Sequence, residues 1–144
     1  MAQLGGWGLD VSNHSGKFGV ATAQRMVAEG WNRLIVSTYD RDIARAQAEA
    51  AVSAGMELQA YVFLKPDLDP VVQVSAALNK MTDLPLTRLW LDVEGDQGWG
   101  DPGSVIQFIE RAVEVCVGRN VPTGIYTSRG WWQKWTIDNQ DFAH

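Results

Sequence analysis

The sequence has a single cysteine and no concentration of basic residues, and both shortages narrow its possible functions. Cys116 alone can form no internal disulfide, and most metal-binding cysteine motifs need further cysteines. The chain has 17 acidic and 12 basic residues, a formal net charge of -5, and no segment rich in lysine and arginine. Nucleic acids and anionic membranes are usually bound by such segments, so we expect neither as a partner.

Long hydrophobic runs are also missing. No segment approaches the roughly 20 apolar residues that cross a bilayer. Residues 1–11 lack the charged start and long apolar stretch of a signal peptide, so the localisation of the protein stays undetermined. The terminal His144 is the only histidine besides His14, and we expect no metal site and no cofactor.

Tryptophan, in contrast, is abundant, with seven residues among 144. Its side chain supplies bulk to a hydrophobic core, and it also offers a flat apolar face on which a sugar ring or a base can stack. The sequence leaves both interpretations open for this group.

Five short apolar or β-branched segments have the character of strands, and the segments between them have helical periodicity. The predicted strands are 7–12, 34–38, 58–64, 88–94 and 123–128. Helical patterns cover about 21–29, the residues after Asp40 as far as Gly55, the segment from Asp69-Pro70 to Met81, and the segment from Asp101-Pro102 to Gly118. This alternation predicts one α/β domain over 1–144, with a parallel sheet covered by helices.

Two α/β architectures compete, an open doubly wound sheet and a TIM-like β/α barrel. Residues 10–19, DVSNHSGKFG, contain no glycine motif of the kind that holds a phosphate after the first strand of a doubly wound fold. Polar residues recur at the strand ends, where barrel enzymes build their active sites, so we predict the barrel. About five βα units cannot close an eight-stranded barrel, and we expect the last strands to be missing or the gap to be covered.

The sharpest local feature is a pair of acidic residues on an otherwise apolar strand. Because side chains alternate across a strand, Trp90, Asp92 and Glu94 share one face, while Leu91 and Val93 point toward the helices. The two acids are then about 7 Å apart at Cα. Burying two unpaired carboxylates is costly, so either one is protonated or both face a polar cleft.

Such a pair suits glycoside hydrolysis. One carboxyl group with a raised pKa donates a proton to the leaving oxygen, and an ionised neighbour stabilises positive charge on the sugar or orients a participating group. Asp10, at the end of the first strand, is placed to converge on the same point. The alternative is that the acids merely end the strand and meet solvent or a basic partner.

At these residues the sequence resembles the glycoside hydrolase family 25 lysozymes, which are muramidases. These enzymes cut the β-1,4 bond between N-acetylmuramic acid and N-acetylglucosamine in peptidoglycan. Residues 8–12, GLDVS, followed by Gly16, resemble the first strand of that family, and 89–94, LWLDVE, resemble its strand with two acids. Residues 124–128, GIYTS, with Trp131 and Trp132, resemble its fifth strand and the following loop.

The resemblance implies a role for each acid. Glu94 would be the general acid and base, Asp92 would orient the 2-acetamido group of the substrate or stabilise positive charge, and Asp10 would support the pair. Tyr61 and Tyr126 match aromatic positions that line the cleft of the family. No cofactor is implied, and the implied partner is the glycan strand of peptidoglycan.

Two further residues are candidate substrate contacts. Ser12 lies at the end of the first strand, and Trp99 lies in a glycine-rich loop after Glu94. We expect that loop to be mobile and to overhang the carboxylates, so that Trp99 can stack on a sugar.

The sequence also departs from the family. Residues 37–41, STYDR, stand where the family usually has an acidic residue and glycine, and His14-Ser15 replace an aromatic residue and glutamine. The last three strands are absent, so we expect a domain truncated at its C-terminal end, and a separate wall-binding domain missing too.

The leading hypothesis is a bacterial or phage enzyme that acts on the cell wall. The alternatives are a non-catalytic carbohydrate-binding or phage structural module, and a chitinase-like glycosidase.

Overall fold

The computed structural model describes residues 6–140 and 142. Five strands alternate with five helices, and the strands are β1 (Trp7–Val11), β2 (Trp31–Ser37), β3 (Glu57–Phe63), β4 (Leu86–Asp92) and β5 (Thr123–Tyr126). The helices are α1 (Val20–Ala28), α2 (Arg41–Ser53), α3 (Pro70–Lys80), α4 (Pro102–Gly118) and α5 (Arg129–Thr136), with a short 3-10 helix at Asn13–Ser15. The predicted alternation is confirmed.

The five strands form one parallel sheet in the order β1-β2-β3-β4-β5. Each βα unit therefore adds its strand beside the preceding one, without the reversal that defines a doubly wound sheet. The described strands do not close into a barrel, because β1 pairs only with β2 and β5 only with β4. The α/β class and the parallel sheet are confirmed, and a TIM barrel is not.

Most of the helices begin at residues whose side chains favour a helix start. Side chains of Asp40, Asp69, Asp101 and Ser128 accept hydrogen bonds from backbone N–H groups in the first turns of α2, α3, α4 and α5. Prolines occupy the first position of α3 and α4, where no N–H donor is lost from the helix. None of the helices in the described part of the chain is both long and apolar enough to span a bilayer.

The two faces of the sheet differ in character. The outer face packs against the helices, which contact one another in chain order, and its fully buried side chains include Leu34, Val36, Leu58, Ala60, Leu89 and Leu91. The inner face carries polar and aromatic side chains, namely Asp10, Gln59, Tyr61, Trp90, Asp92 and Tyr126. Of these, Asp10 and Tyr126 are exposed. The candidate site therefore lies on the inner face, at the carboxyl ends of the strands.

Candidate active site

The end of β4 positions the two acids found in the sequence. Leu91 and Val93 are fully buried on the helix side, so Asp92 and Glu94 face the other way, as the strand alternation predicts. The strand ends at Asp92, and Glu94 lies two residues further on in the loop. Asp92 is only 8% exposed, whereas Glu94 is exposed.

Burial changes the acidity of the pair. The pKa of Asp92 is raised to about 7, chiefly because burial penalises its charged form, and also because the charge of Glu94 and a hydrogen bond to it favour the protonated form. Asp92 Oδ1 has no hydrogen-bond partner among the described residues. Asp92 therefore stays largely protonated at mildly acidic pH, which is one of the two alternatives that the sequence left open for the pair. The raised pKa favours a proton on Asp92, whereas the family resemblance makes Glu94 the proton donor.

Two cavities meet at these acids. The smaller, of about 330 Å³, lies on the inner face and is also lined by Asp10, Ile35, Trp90 and Tyr126. The larger, of about 750 Å³, extends over the loops that follow β1, β2 and β3. Tyr61, Asp92 and Glu94 line both cavities. The two cavities are thus parts of one cleft with the carboxyl pair at its centre.

Most of the predicted site residues converge on this cleft. Asp10 and Tyr126 lie in the smaller cavity, Ser12 lies in the larger, and Tyr61 lies where they meet. Tyr126 is the direct neighbour of Asp92 in the register of β4 and β5. Strand topology alone therefore brings together residues separated by more than 100 positions in the sequence.

Ser12 has a structural role in addition to its place in the cleft. Its side chain accepts a hydrogen bond from the backbone N–H of His14 and so begins the 3-10 helix. Its carbonyl oxygen accepts a hydrogen bond of 3.2 Å from Gln47 Nε2, which also donates to the Gly16 carbonyl oxygen at 2.8 Å. Gln47 is fully buried and holds the loop after β1 in place. The sequence analysis did not identify Gln47. The pattern that could have indicated it is a single glutamine within the alanine-rich sequence of α2.

The prediction for Trp99 is not supported by its position. Trp99 is 4% exposed, and its ring packs edge to face against Phe108 and Trp131, with centroid distances of 5.3 and 5.0 Å. Trp99 lines neither cavity, so its ring offers no face to a sugar. The loop after Glu94 is tied to the core instead of overhanging the carboxylates, because burying an indole ring removes a large apolar area from water.

Trp99 and Trp131 support the loop at the carboxyl pair. The indole N–H of Trp99 donates to the Glu94 carbonyl oxygen at 3.2 Å, and that of Trp131 donates to the Gly95 carbonyl oxygen at 2.9 Å. Trp131, in α5, is 5% exposed. Two of the seven tryptophans therefore fix the backbone at Glu94 and Gly95. Both belong to the core and not to a surface on which a sugar could stack.

Trp90 forms a wall of the smaller cavity, and its neighbours hold its ring. Its indole N–H donates to Gln59 Oε1 at 2.7 Å, and the Arg88 guanidinium lies 5.3 Å from the ring centroid. Gly124, the register neighbour of Trp90 on β5, lies so close that a β-carbon there would overlap the ring. Sequence reasoning placed Trp90 on the correct face, but it missed the contributions of Gln59 and Gly124.

The described residues contain no cluster of three His, Cys, Asp or Glu side chains that could hold a metal ion. His14 lines the larger cavity, while His144 lies outside the described residues. Cys116 is buried in α4, where burial raises the pKa of its thiol.

A family model described as Lysozyme-like protein 1 matches residues 7–144. The chain therefore belongs to this lysozyme-like family, which confirms the resemblance noted in the sequence.

Curated relatives of the chain are found in Dictyostelium discoideum. The chain is 28% identical to Counting factor 50 over 124 residues, which cover 81% of the chain and 40% of that protein. It is also 28% identical to Probable GH family 25 lysozyme 3 over 138 residues, which cover 88% of the chain and 28% of that protein. The chain thus spans less than half the length of these relatives.

Solved structures share the fold. The catalytic domain of endolysin ply40 from bacteriophage P40 of Listeria monocytogenes matches with a TM-score of 0.69 and 15% identity, covering 96% of the chain and 71% of that domain. A radical SAM methyltransferase from Sphaerobacter thermophilus matches with a TM-score of 0.53 and 14% identity. This match covers 84% of the chain and 40% of the methyltransferase. These two proteins have different activities, so the shared fold alone does not define a function.

Proposed function

We propose that this chain is a peptidoglycan hydrolase, an N-acetylmuramidase that cleaves the β-1,4 bond between N-acetylmuramic acid and N-acetylglucosamine. The observation that carries the proposal is the pair of Asp92 and Glu94, one buried and one exposed, at the centre of a cleft. The membership of the chain in a lysozyme-like family also supports glycoside hydrolysis. A retaining or inverting glycosidase uses two carboxyl groups, one of which carries a proton, and the raised pKa of Asp92 allows it to hold a proton at mildly acidic pH.

The exposure of each acid indicates its role. Glu94 is exposed in the cleft, so it can reach the oxygen of the glycosidic bond, whereas Asp92 is buried behind it. As substrate binds, the proton moves from Asp92 to the neighbouring Glu94. Glu94 gives this proton to the leaving oxygen while the bond to the anomeric carbon breaks. Asp92, now ionised, stabilises the positive charge on the sugar or orients its 2-acetamido group. A water molecule then attacks the anomeric carbon, and Glu94 accepts the proton that this water loses, which returns one proton to the pair.

The remaining residues of the cleft bind and orient the sugar. Asp10 adds a third carboxyl group to the smaller cavity and supports the pair. The hydroxyl groups of Tyr61 and Tyr126 are placed to bond to the sugar or to the carboxyl groups, and Ser12 contacts the glycan from the larger cavity. Because the chain is acidic and cell walls carry negative charge, binding relies on these local contacts.

The test is to incubate the purified chain with peptidoglycan and to identify new reducing ends by mass spectrometry. The wild type releases muropeptides with N-acetylmuramic acid at the reducing end, and Glu94→Gln releases none. Glu110→Gln is the matched control, because Glu110 is exposed on α4 and lines neither cavity. Substantial activity in Glu94→Gln contradicts the proposed mechanism.

The same assay separates the two other functions. Binding to the glycan without new reducing ends identifies a non-catalytic carbohydrate-binding module. Cleavage of chitin oligomers in preference to peptidoglycan identifies a chitinase-like enzyme, because chitin contains no muramic acid.

A further inference from the structure

The two cavities of the cleft differ in charge. The charged side chains that line the smaller cavity are all acidic, namely Asp10, Asp92 and Glu94. The larger cavity adds the basic side chains Lys65 and Lys80, together with His14. The cleft of this acidic protein is therefore polarised, with its positive charge confined to the larger cavity.

Of the two lysines, only Lys65 has its ammonium group available. Lys80 Nζ donates to the carbonyl oxygens of Thr38 and Tyr39 at 2.7 and 3.0 Å, so it is engaged in fixing the turn after β2. Lys65 is exposed, and its side chain makes no ion pair with any residue that the structure describes. The ammonium group of Lys65 is therefore available to form an ion pair with an anionic group in the larger cavity.

Gln73 in α3 fixes the backbone of Lys65. Its Oε1 accepts a hydrogen bond from the Lys65 N–H at 2.8 Å, and its Nε2 donates to the Lys65 and Leu68 carbonyl oxygens at 2.9 and 3.0 Å. A single side chain thus bonds to both backbone groups of Lys65. This anchoring reduces the conformational entropy that the lysine loses on binding a ligand.

Apolar side chains beside Lys65 provide surface for a sugar ring. Phe63 and Leu68 are about half exposed, at 48% and 49%, and Tyr39 is 73% exposed. All three line the larger cavity. Aromatic faces combined with a positive charge suit a sugar that carries an acidic substituent, since a free anion needs no apolar surface.

We propose that the larger cavity binds a sugar whose substituent carries a carboxylate, with Lys65 as the counter-ion of that carboxylate. The inference rests on the proposed function and extends it to the orientation of the glycan. Acidic side chains of the smaller cavity repel the same carboxylate. A glycan with a carboxylate on every second sugar therefore binds with those sugars in the larger cavity and the uncharged sugars in the smaller one. In peptidoglycan this carboxylate belongs either to the lactyl ether of muramic acid or to the peptide attached to it.

The experiment measures binding by isothermal titration calorimetry in the full chain carrying Glu94→Gln, so that no ligand is cleaved. Three glycans of equal length are compared: a peptidoglycan fragment with its peptides, the same fragment stripped by an amidase, and a chitin oligomer. The stripped fragment keeps the lactyl carboxylate, and the chitin oligomer has none. We expect at least one muramic acid ligand to bind more tightly than chitin, and the preference to weaken as salt is added.

Substitutions then assign the preference to Lys65. Lys65→Gln raises the Kd of the preferred ligand about two- to fivefold relative to chitin, as expected for one exposed ion pair, and Lys65→Arg restores it. Lys17→Gln is the matched control, because Lys17 is exposed and lines neither cavity. Tight binding of the stripped fragment identifies the lactyl carboxylate as the partner, and tight binding of the peptide-bearing fragment alone identifies the peptide.

Equal Kd values for all three ligands, no binding of any of them, or equal effects of Lys65→Gln and Lys17→Gln would overturn the inference. Failure of the proposed function gives a different result, which is a wild-type chain that binds these ligands without cleaving them.

Discussion

Asp92 and Glu94 lie two residues apart on the same side of the sheet, yet only Asp92 is buried. The strand ends between them, so Asp92 stays within the sheet while Glu94 extends into the cleft. This difference in exposure raises the pKa of Asp92 to about 7 and leaves the Glu94 carboxyl group accessible in the cleft.

Asp92→Asn tests the role of the buried acid in the reaction. An amide can neither ionise nor pass a proton to Glu94, so we expect kcat to fall by about 10²- to 10⁴-fold while the chain stays folded. Rates of peptidoglycan hydrolysis and circular dichroism spectra measure the two effects. The control is Asp67→Asn, at an exposed position that lines neither cavity. An unchanged rate in Asp92→Asn would remove Asp92 from the mechanism.

The raised pKa of Asp92 also predicts how stability depends on pH. Between about pH 4 and pH 7 the folded chain keeps a proton on Asp92 that the unfolded chain releases, so the free energy of unfolding falls as the pH rises. This contribution is present in full below about pH 4 and is lost by the time the pH exceeds about 7. Its size is at most about 4 kcal/mol.

Urea denaturation of the wild type and of Asp92→Asn at a series of pH values measures this contribution. Glu57, Asp69 and Asp101 have lowered pKa values, so they make the free energy of unfolding rise with pH at lower pH. These three groups are present in both proteins. The difference between the two curves therefore isolates Asp92. Parallel curves between pH 4 and pH 7 would show that the pKa of Asp92 is not raised.

Gly124→Ala tests the close packing of Trp90. A β-carbon at Gly124 would overlap the Trp90 ring, which the hydrogen bond to Gln59 holds in place. We expect the free energy of unfolding to fall by about 1–3 kcal/mol, as measured in urea.

Gly130→Ala is the matched control for this change. Gly130 lies in α5 with open space where its β-carbon would be, so alanine there should be neutral or slightly stabilising. Equal stability of the two alanine variants would argue against the Trp90 contact.

Trp99→Ala tests the assignment of Trp99 to the core. Removing a buried indole should lower the free energy of unfolding by about 3–5 kcal/mol. Trp7→Ala is the comparison, because Trp7 is 74% exposed and should cost less than about 1 kcal/mol. If Trp99→Ala leaves the free energy of unfolding unchanged and weakens glycan binding, the result would support the stacking role expected from the sequence.

The local order of the fold could be read from the sequence. Alternating apolar segments predicted the order of the five strands and of α1 to α4, and Asp40, Asp69 and Asp101 marked the starts of α2, α3 and α4. These signals are local, because hydrogen-bond caps and side-chain periodicity involve residues only a few positions apart. The extent of β2 was less clear, since it begins at Trp31 instead of 34. Tertiary pairing with β1 and β3 extends it beyond its apolar part.

The sequence by itself determined that Asp92 and Glu94 share a face at a strand end, because strand alternation fixes the direction of successive side chains. Only the tertiary structure decided which of them is buried, that Trp99 packs on Phe108 and Trp131, and that the sheet stays open. Desolvation, ring packing and strand pairing all depend on neighbours that are distant in the chain. A pattern of nearby residues carries no information about such neighbours, and the proton on Asp92 depends on them.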